Sequence, residues 1–285
     1  MSSTLVLVLA SAALHSGWNL TLKRNQDPPA ATTAVIALTG VLAWAAALAE
    51  WATGLGVPFG DGGAFALSLG CGLSEAAYFI CLARALRDAP LGVAYVVARG
   101  GSILLLWPLC LAAYGERASL LQGAGVAAML LGLVRLYPVG AAPGLERAGY
   151  GWAVATALFT ATNHVLYKGA LLAGARPWGT FALAMLVAAP VNLVSLPGPD
   201  RLGRMRRAAL EAPWALLWAS VQCAASLGLA LFAMRLAGAA WVGTLRNVSV
   251  AVTPLLGWLV LGERPGRRAF LGFVLTVAAV VLLAL

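Results

Sequence analysis

The stretch RGGSILLLWPLCLAAYGER, Arg99–Arg117, returns 147 positions later as RNVSVAVTPLLGWLVLGER, Arg246–Arg264. Each copy opens on an arginine, runs through an apolar segment that contains a proline, and closes on Gly-Glu-Arg. The same offset sets Glu75 on Gln222 and Gly125 on Gly272. Arginines recurring inside the apolar runs of a duplicated chain point to a carrier, because paired repeats build alternating-access sites in membranes.

Composition supports the membrane assignment. Hydrophobic residues fill 61% of the 285 positions, charged residues only 10%, and the mean hydropathy is +0.88. A soluble domain carries about a quarter charged residues. The net charge of +9 does not indicate nucleic acid, because the cations fall between apolar runs rather than along one face. They serve as topology signals and lipid-headgroup contacts.

A helix needs about 20 apolar residues to cross the hydrocarbon. That ruler gives ten segments, near 3–22, 30–52, 64–83, 90–113, 118–136, 148–167, 177–196, 212–234, 238–261 and 268–285. Proline and glycine clusters such as Asp27-Pro28-Pro29 and Arg264-Pro265-Gly266 separate them. The expected fold is an all-α polytopic membrane protein of two five-helix repeats, residues 1–140 and 148–285. Five is odd, so the second repeat enters the membrane inverted. Thirteen Lys and Arg lie in the loops after odd-numbered spans and four on the other side. The positive-inside rule then places the odd loops in the cytoplasm and both termini outside. The first span lacks a basic leader and is expected to be retained.

Inside the spans, Arg99, Arg246, Glu75 and Gln222 are central and related by the offset. An ionisable group at mid-bilayer costs at least about 2.5–3.5 kcal/mol on insertion scales, so it faces a bundle interior or a wet cavity. Two guanidiniums and one carboxylate leave one positive charge in excess, which suits an anionic or zwitterionic substrate. The competing reading is that Glu75 neutralises one arginine and locks two helices together. Tyr95 and Trp241, four and five residues before the arginines, with Tyr78 and Asn247, are candidate pocket walls; each could equally be packing. His15 and Glu75 are candidates to carry a coupling proton. Asn19, Asn163 and His164 are candidate polar contacts at helix interfaces. No metal or cofactor is expected: the two histidines are too separated, and the four cysteines lack CxxC spacing and sit in apolar runs as small hydrophobes.

Ten spans in two halves, with a proline seven or eight residues before Gly-Glu-Arg in each half, resemble the EamA-type carriers of the drug/metabolite transporter superfamily. The segment His15-Ser16-Gly17-Trp18-Asn19 leading to Lys23 is similar to the opening span of bacterial members. The resemblance covers essentially the whole chain. It implies an α-helical permease of a bacterial inner membrane, often an exporter, with a central cavity and no catalytic residues. It also implies that the Gly115-Glu116 and Gly262-Glu263 turns are structural connections. Two features depart from the pattern: the intramembrane arginines, and a charge distribution that puts the termini outside.

The expectation is therefore a secondary transporter and not an enzyme. It takes a small anionic or zwitterionic metabolite, first of all an amino acid, and sits in the lipid bilayer. Protons are a candidate coupling ion, and the sequence leaves monomer and homodimer open. A multidrug exporter of organic cations and a non-transporting membrane scaffold are the alternatives.

Overall fold

The computed structural model describes residues 2–22, 25–89, 94, 96–136, 147–249 and 266–285. Among these residues the chain is helical and contains no strand. The helices are α1 (Ser2–Leu22), α2 (Pro28–Ala52), α3 (Gly62–Asp88), α4 (Val96–Tyr114), α5 (Leu120–Leu136) and α6 (Arg147–Leu172). They continue with α7 (Pro177–Ser195), α8 (Arg201–Glu211), α9 (Pro213–Leu236), α10 (Ala239–Arg246) and α11 (Arg267–Ala284). Six of them, α2, α3, α4, α7, α9 and α11, are long and apolar enough to cross a membrane. Helices α1 and α5 add shorter apolar stretches, Ser3–Trp18 and Leu120–Leu136.

The helix ends follow local chemistry. Asp27 caps α2 ahead of Pro28 and Pro29, accepting from the Ala30 N–H at 3.3 Å. Asp61 does the same for α3 through Ala64 N at 2.7 Å. Such side chains satisfy donors that the first turn leaves open. Helix α3 runs on to Asp88 and α6 to Leu172, several residues beyond the apolar segments expected from sequence. Helix α8 lies between the seventh and eighth apolar segments expected from sequence. Asp200 caps it, Ala208 lies on its buried face, and arginines cover its other faces. The helix is too polar to span and too amphipathic to be a loop. Of the ninth expected segment, α10 and the residues through Ser249 are described. Tyr95, Pro254 and the Gly262-Glu263-Arg264 turn lie outside the described residues, as does the side chain of Asn19.

Packing pairs helices far apart in sequence. Helix α1 lies along α9, and α3 lies along α6. Helix α2 packs on α7 and α9, and α7 on α2 and α3; α5 pairs with α11, while α4 meets α6 and α10. Hydroxyls bind across these seams: Ser11 Oγ donates to Ser226 O at 2.6 Å, and Ser226 Oγ donates back to Ser11 O at 2.8 Å. Without a hydrophobic drive between helices in lipid, such contacts and small residues carry association. The α5–α11 crossing is a close one. A Cβ on Gly132 would lie 2.6 Å from Thr276 Oγ1, and one on Gly272 would lie 2.8 Å from Leu136 N. The two backbones touch there, and only glycine fits.

Ion pairs bind the helix ends. Arg204 of α8 holds Asp27 at 2.8 Å, and Arg176 holds Glu50 at 2.9 Å. The hydrogen bonds from Arg204 keep the Asp27 carboxyl below its ordinary range. This contribution is present above the unfolded carboxyl value, about 3.9, and is lost as pH falls through the lower folded value. The thermal-stability gap between wild type and Asp27→Asn in detergent should therefore close between about pH 5 and pH 2. Separately, Gly272→Ala should lower stability by about 1–3 kcal/mol through overpacking at the α5–α11 crossing, read as a drop in Tm.

Candidate substrate site

Arg99 sits on the opening turn of α4, where Val96–Gly100 winds as a π-helix. The wider turn is rare and recurs at functional sites. The Arg99 guanidinium donates from Nη2 to Nε2 of His15 on α1, at 3.4 Å. On its other side His15 receives Trp18 Nε1–H at Nδ1, at 3.3 Å. Each ring nitrogen of His15 thus faces a group that can only donate, and a neutral imidazole has one bare nitrogen to accept with.

Arg246 ends α10 and donates from Nη2 to Ser226 Oγ of α9, at 3.4 Å. Its buried Nε has no partner among the described residues. Arg99 and Arg246 lie within electrostatic reach of one another and of Glu75, His15 and His164. Among the described residues, no ion pair joins either arginine to a carboxylate. Glu75 of α3 instead accepts a hydrogen bond from Asn163 Nδ2 on α6.

Around this centre several buried polar atoms have no protein partner among the described residues: Gln222 Oε1, Asn163 Oδ1, Asn247 Oδ1 and the Tyr167 hydroxyl. Gln222 lies against Gly17, where a Cβ would come within 2.9 Å of its Oε1. Tyr78 is in electrostatic reach of Arg246 and packs edge-on to Phe79. Asn247 donates from Nδ2 to Gly243 O at 2.9 Å, and His164 Nδ1 donates to Thr160 O at 2.8 Å. Trp241 lies elsewhere: its indole N–H donates to Leu283 O at 2.6 Å, and it borders a pocket whose lining includes none of Arg99, Arg246 or Glu75.

Residues 147–285, which hold Arg246, Gln222 and Asn163, match the model of the EamA-like transporter family. Residues 147–285 are thus similar to that family. The EamA-like family is one of membrane transporters rather than enzymes, and the protein is a multi-pass membrane protein. A solved crystal structure superposes with a TM-score of 0.72, covering 99% of this chain and 96% of its own at 19% identity. That likeness is one of fold. No curated protein matches the chain at a significant level.

The Gly-Glu turn of this EamA-like chain has a physical role visible at Gly115-Glu116. Gly115 adopts φ +67° and ends α4, its N–H bonding to Leu111 O at 2.9 Å. The Glu116 carboxylate then accepts Ala239 N–H at 2.8 Å and Ala240 N–H at 3.0 Å, closing the N-terminus of α10. Lys168 Nζ donates to Met234 O at 2.7 Å and Ala237 O at 3.0 Å, closing the C-terminus of α9. Opposite charges thus sit at the dipole ends of the two helices that carry Ser226 and Arg246. By sequence Glu116 belongs to a connection, and nothing in the local pattern marks Glu116 or Ser226 as a partner. Glu116→Ala should cost about 1–2 kcal/mol of stability, as loss of a helix cap does, measured by thermal denaturation in detergent.

Proposed function

We propose that the protein is a secondary transporter of small anionic or zwitterionic metabolites, such as amino acids, working by alternating access around the polar centre of its bundle. The observation that carries this reading is the pair of guanidiniums, Arg99 and Arg246, within electrostatic reach of one another and not ion-paired to a carboxylate among the described residues. Glu75 is engaged by Asn163, so the centre keeps a positive excess that a substrate carboxylate would neutralise. In this reading Arg99 and Arg246 hold acid groups; Glu75 balances charge, meets an amine or carries a proton; His15 is the second proton candidate. Gln222, Tyr78 and Asn247 shape the cavity. An exporter of organic cations would need the opposite sign of charge there.

The packing supports two inverted five-helix repeats, 1–140 and 148–285. Exchanging the two halves turns the α1–α9 contact into the α6–α3 contact, and the α4–α6 contact into the α10–α1 contact. The exchange also relates Glu75 against α6 to Gln222 against α1. We further propose a bacterial inner membrane with both termini outside, since the exposed arginines of α8 belong with the cytoplasmic leaflet.

A thermal-shift screen of amino acids, phosphonates and sugar phosphates should identify a stabilising anion. Uptake of that anion into proteoliposomes should fall about 10- to 100-fold in Arg99→Ala and in Arg246→Ala, the loss expected for a charge-assisted contact, with unchanged gel filtration. Wild-type uptake by both variants would remove the assignment. Stabilisation by organic cations alone would favour the exporter of drugs.

A further inference from the structure

A pocket of about 300 Å³ opens where α4 turns into α5, walled by Thr4, Trp107, Glu116, Arg117, Gln122 and Trp241 among others. It shares three helices with the arginine centre. Trp107 follows Arg99 by eight residues on α4, Trp241 precedes Arg246 by five on α10, and Thr4 precedes His15 by eleven on α1. At 1.5 Å per residue these offsets put the pocket about 8–17 Å from the centre along the bundle. All three point to the same side.

The wall has a definite chemistry. Trp107 Nε1–H donates to Thr244 Oγ1 at 3.0 Å and Trp241 Nε1–H to Leu283 O at 2.6 Å, so both indoles offer apolar ring surface rather than a donor. The Glu116 oxygens are engaged by the α10 N-terminus. Gln122 Oε1 accepts from Ser119 N–H at 3.0 Å, which leaves the amide N–H groups of Gln122 as donors. Arg117 is exposed and enters no ion pair among the described residues.

We propose that this pocket is a second anion-binding station, in line with the central site and taking an anionic group carried on an apolar body. The carboxylate or phosphate meets Arg117 and Gln122, and the apolar body lies on Trp107 and Trp241. As a waypoint for the carried solute, the station rests on the transporter reading given above. Between station and centre, the Trp107–Thr244 hydrogen bond ties α4 to α10. One turn of packing lies beside it: a Cβ on Gly243 would fall 2.5 Å from Leu106 Cδ2 and 3.0 Å from His164 Cδ2. A solute leaving the station for the arginines must part these two helices. An anionic phospholipid headgroup has the same chemistry as such a solute, and the experiment separates the two.

The test is equilibrium binding of radiolabelled phenylacetate to the full chain in phosphatidylcholine nanodiscs. Wild type should bind two equivalents. Arg117→Gln should weaken one of them at least tenfold and leave the other, and Arg117→Lys, keeping the charge, should restore most of it. The Arg99→Ala/Arg246→Ala double variant should lose the other equivalent alone. If it keeps both, the central reading fails while the station stands. Adding phosphatidylglycerol should displace the Arg117-dependent equivalent if a headgroup fills the pocket, and should leave it if only solute does; either result supports an anion station. Wild-type affinity and stoichiometry in Arg117→Gln, or no saturable phenylacetate binding, would overturn it.

Discussion

Two guanidiniums within electrostatic reach of each other in a membrane bundle repel one another and resist leaving water. The neighbouring helices answer this constraint with neutral acceptors. His15 meets Arg99, and Ser226 meets Arg246. The nearby carboxylate, Glu75, is turned to Asn163. A bundle built only for stability would more economically place a carboxylate on each arginine, because a buried charge without its partner is strongly destabilising. Leaving both without such a partner among the described residues keeps a positive potential where helices from both halves converge, and that potential underlies the proposed anion carrier.

The outer parts of the fold hold this centre in position. Helices α2 and α7 pack together, and α5 and α11 cross at glycines, forming two seams. Inside them, α1, α3, α4, α6, α9 and α10 bring the polar groups inward. Arg246 depends on a break in the chain between α9 and α10, and Lys168 and Glu116 stabilise the two helix ends that the break exposes. One carboxylate from the first half therefore helps fix the position of an arginine in the second. The pocket beside Glu116 then lies on the same three helices as the centre, which is why a peripheral station and a central site can be considered as one path.

Much of this could be read from the residues before any fold was known. Apolar runs bounded by proline and glycine marked the long helices, because a chain in lipid must close its backbone hydrogen bonds within each segment. The 147-residue offset singled out Arg99, Arg246, Glu75 and Gln222. Helix α8 was legible too, with Asp200 as its cap and Ala208 on its buried face, but a ruler set for membrane-length apolar runs passes over a short polar helix. Trp241 shows the opposite failing: spacing from Arg246 suggested a shared pocket, whereas its indole bonds to α11.

The sequence by itself determined that charged groups stand inside apolar helices, and which ones, since hydropathy and repetition are properties of the linear chain. Tertiary structure alone decided their partners. His15 reaches Arg99 across 84 residues and Asn163 reaches Glu75 across 88, on helices whose rotation and depth are set by packing. Helical periodicity fixes which residues share a face, but it does not say which other face will meet them.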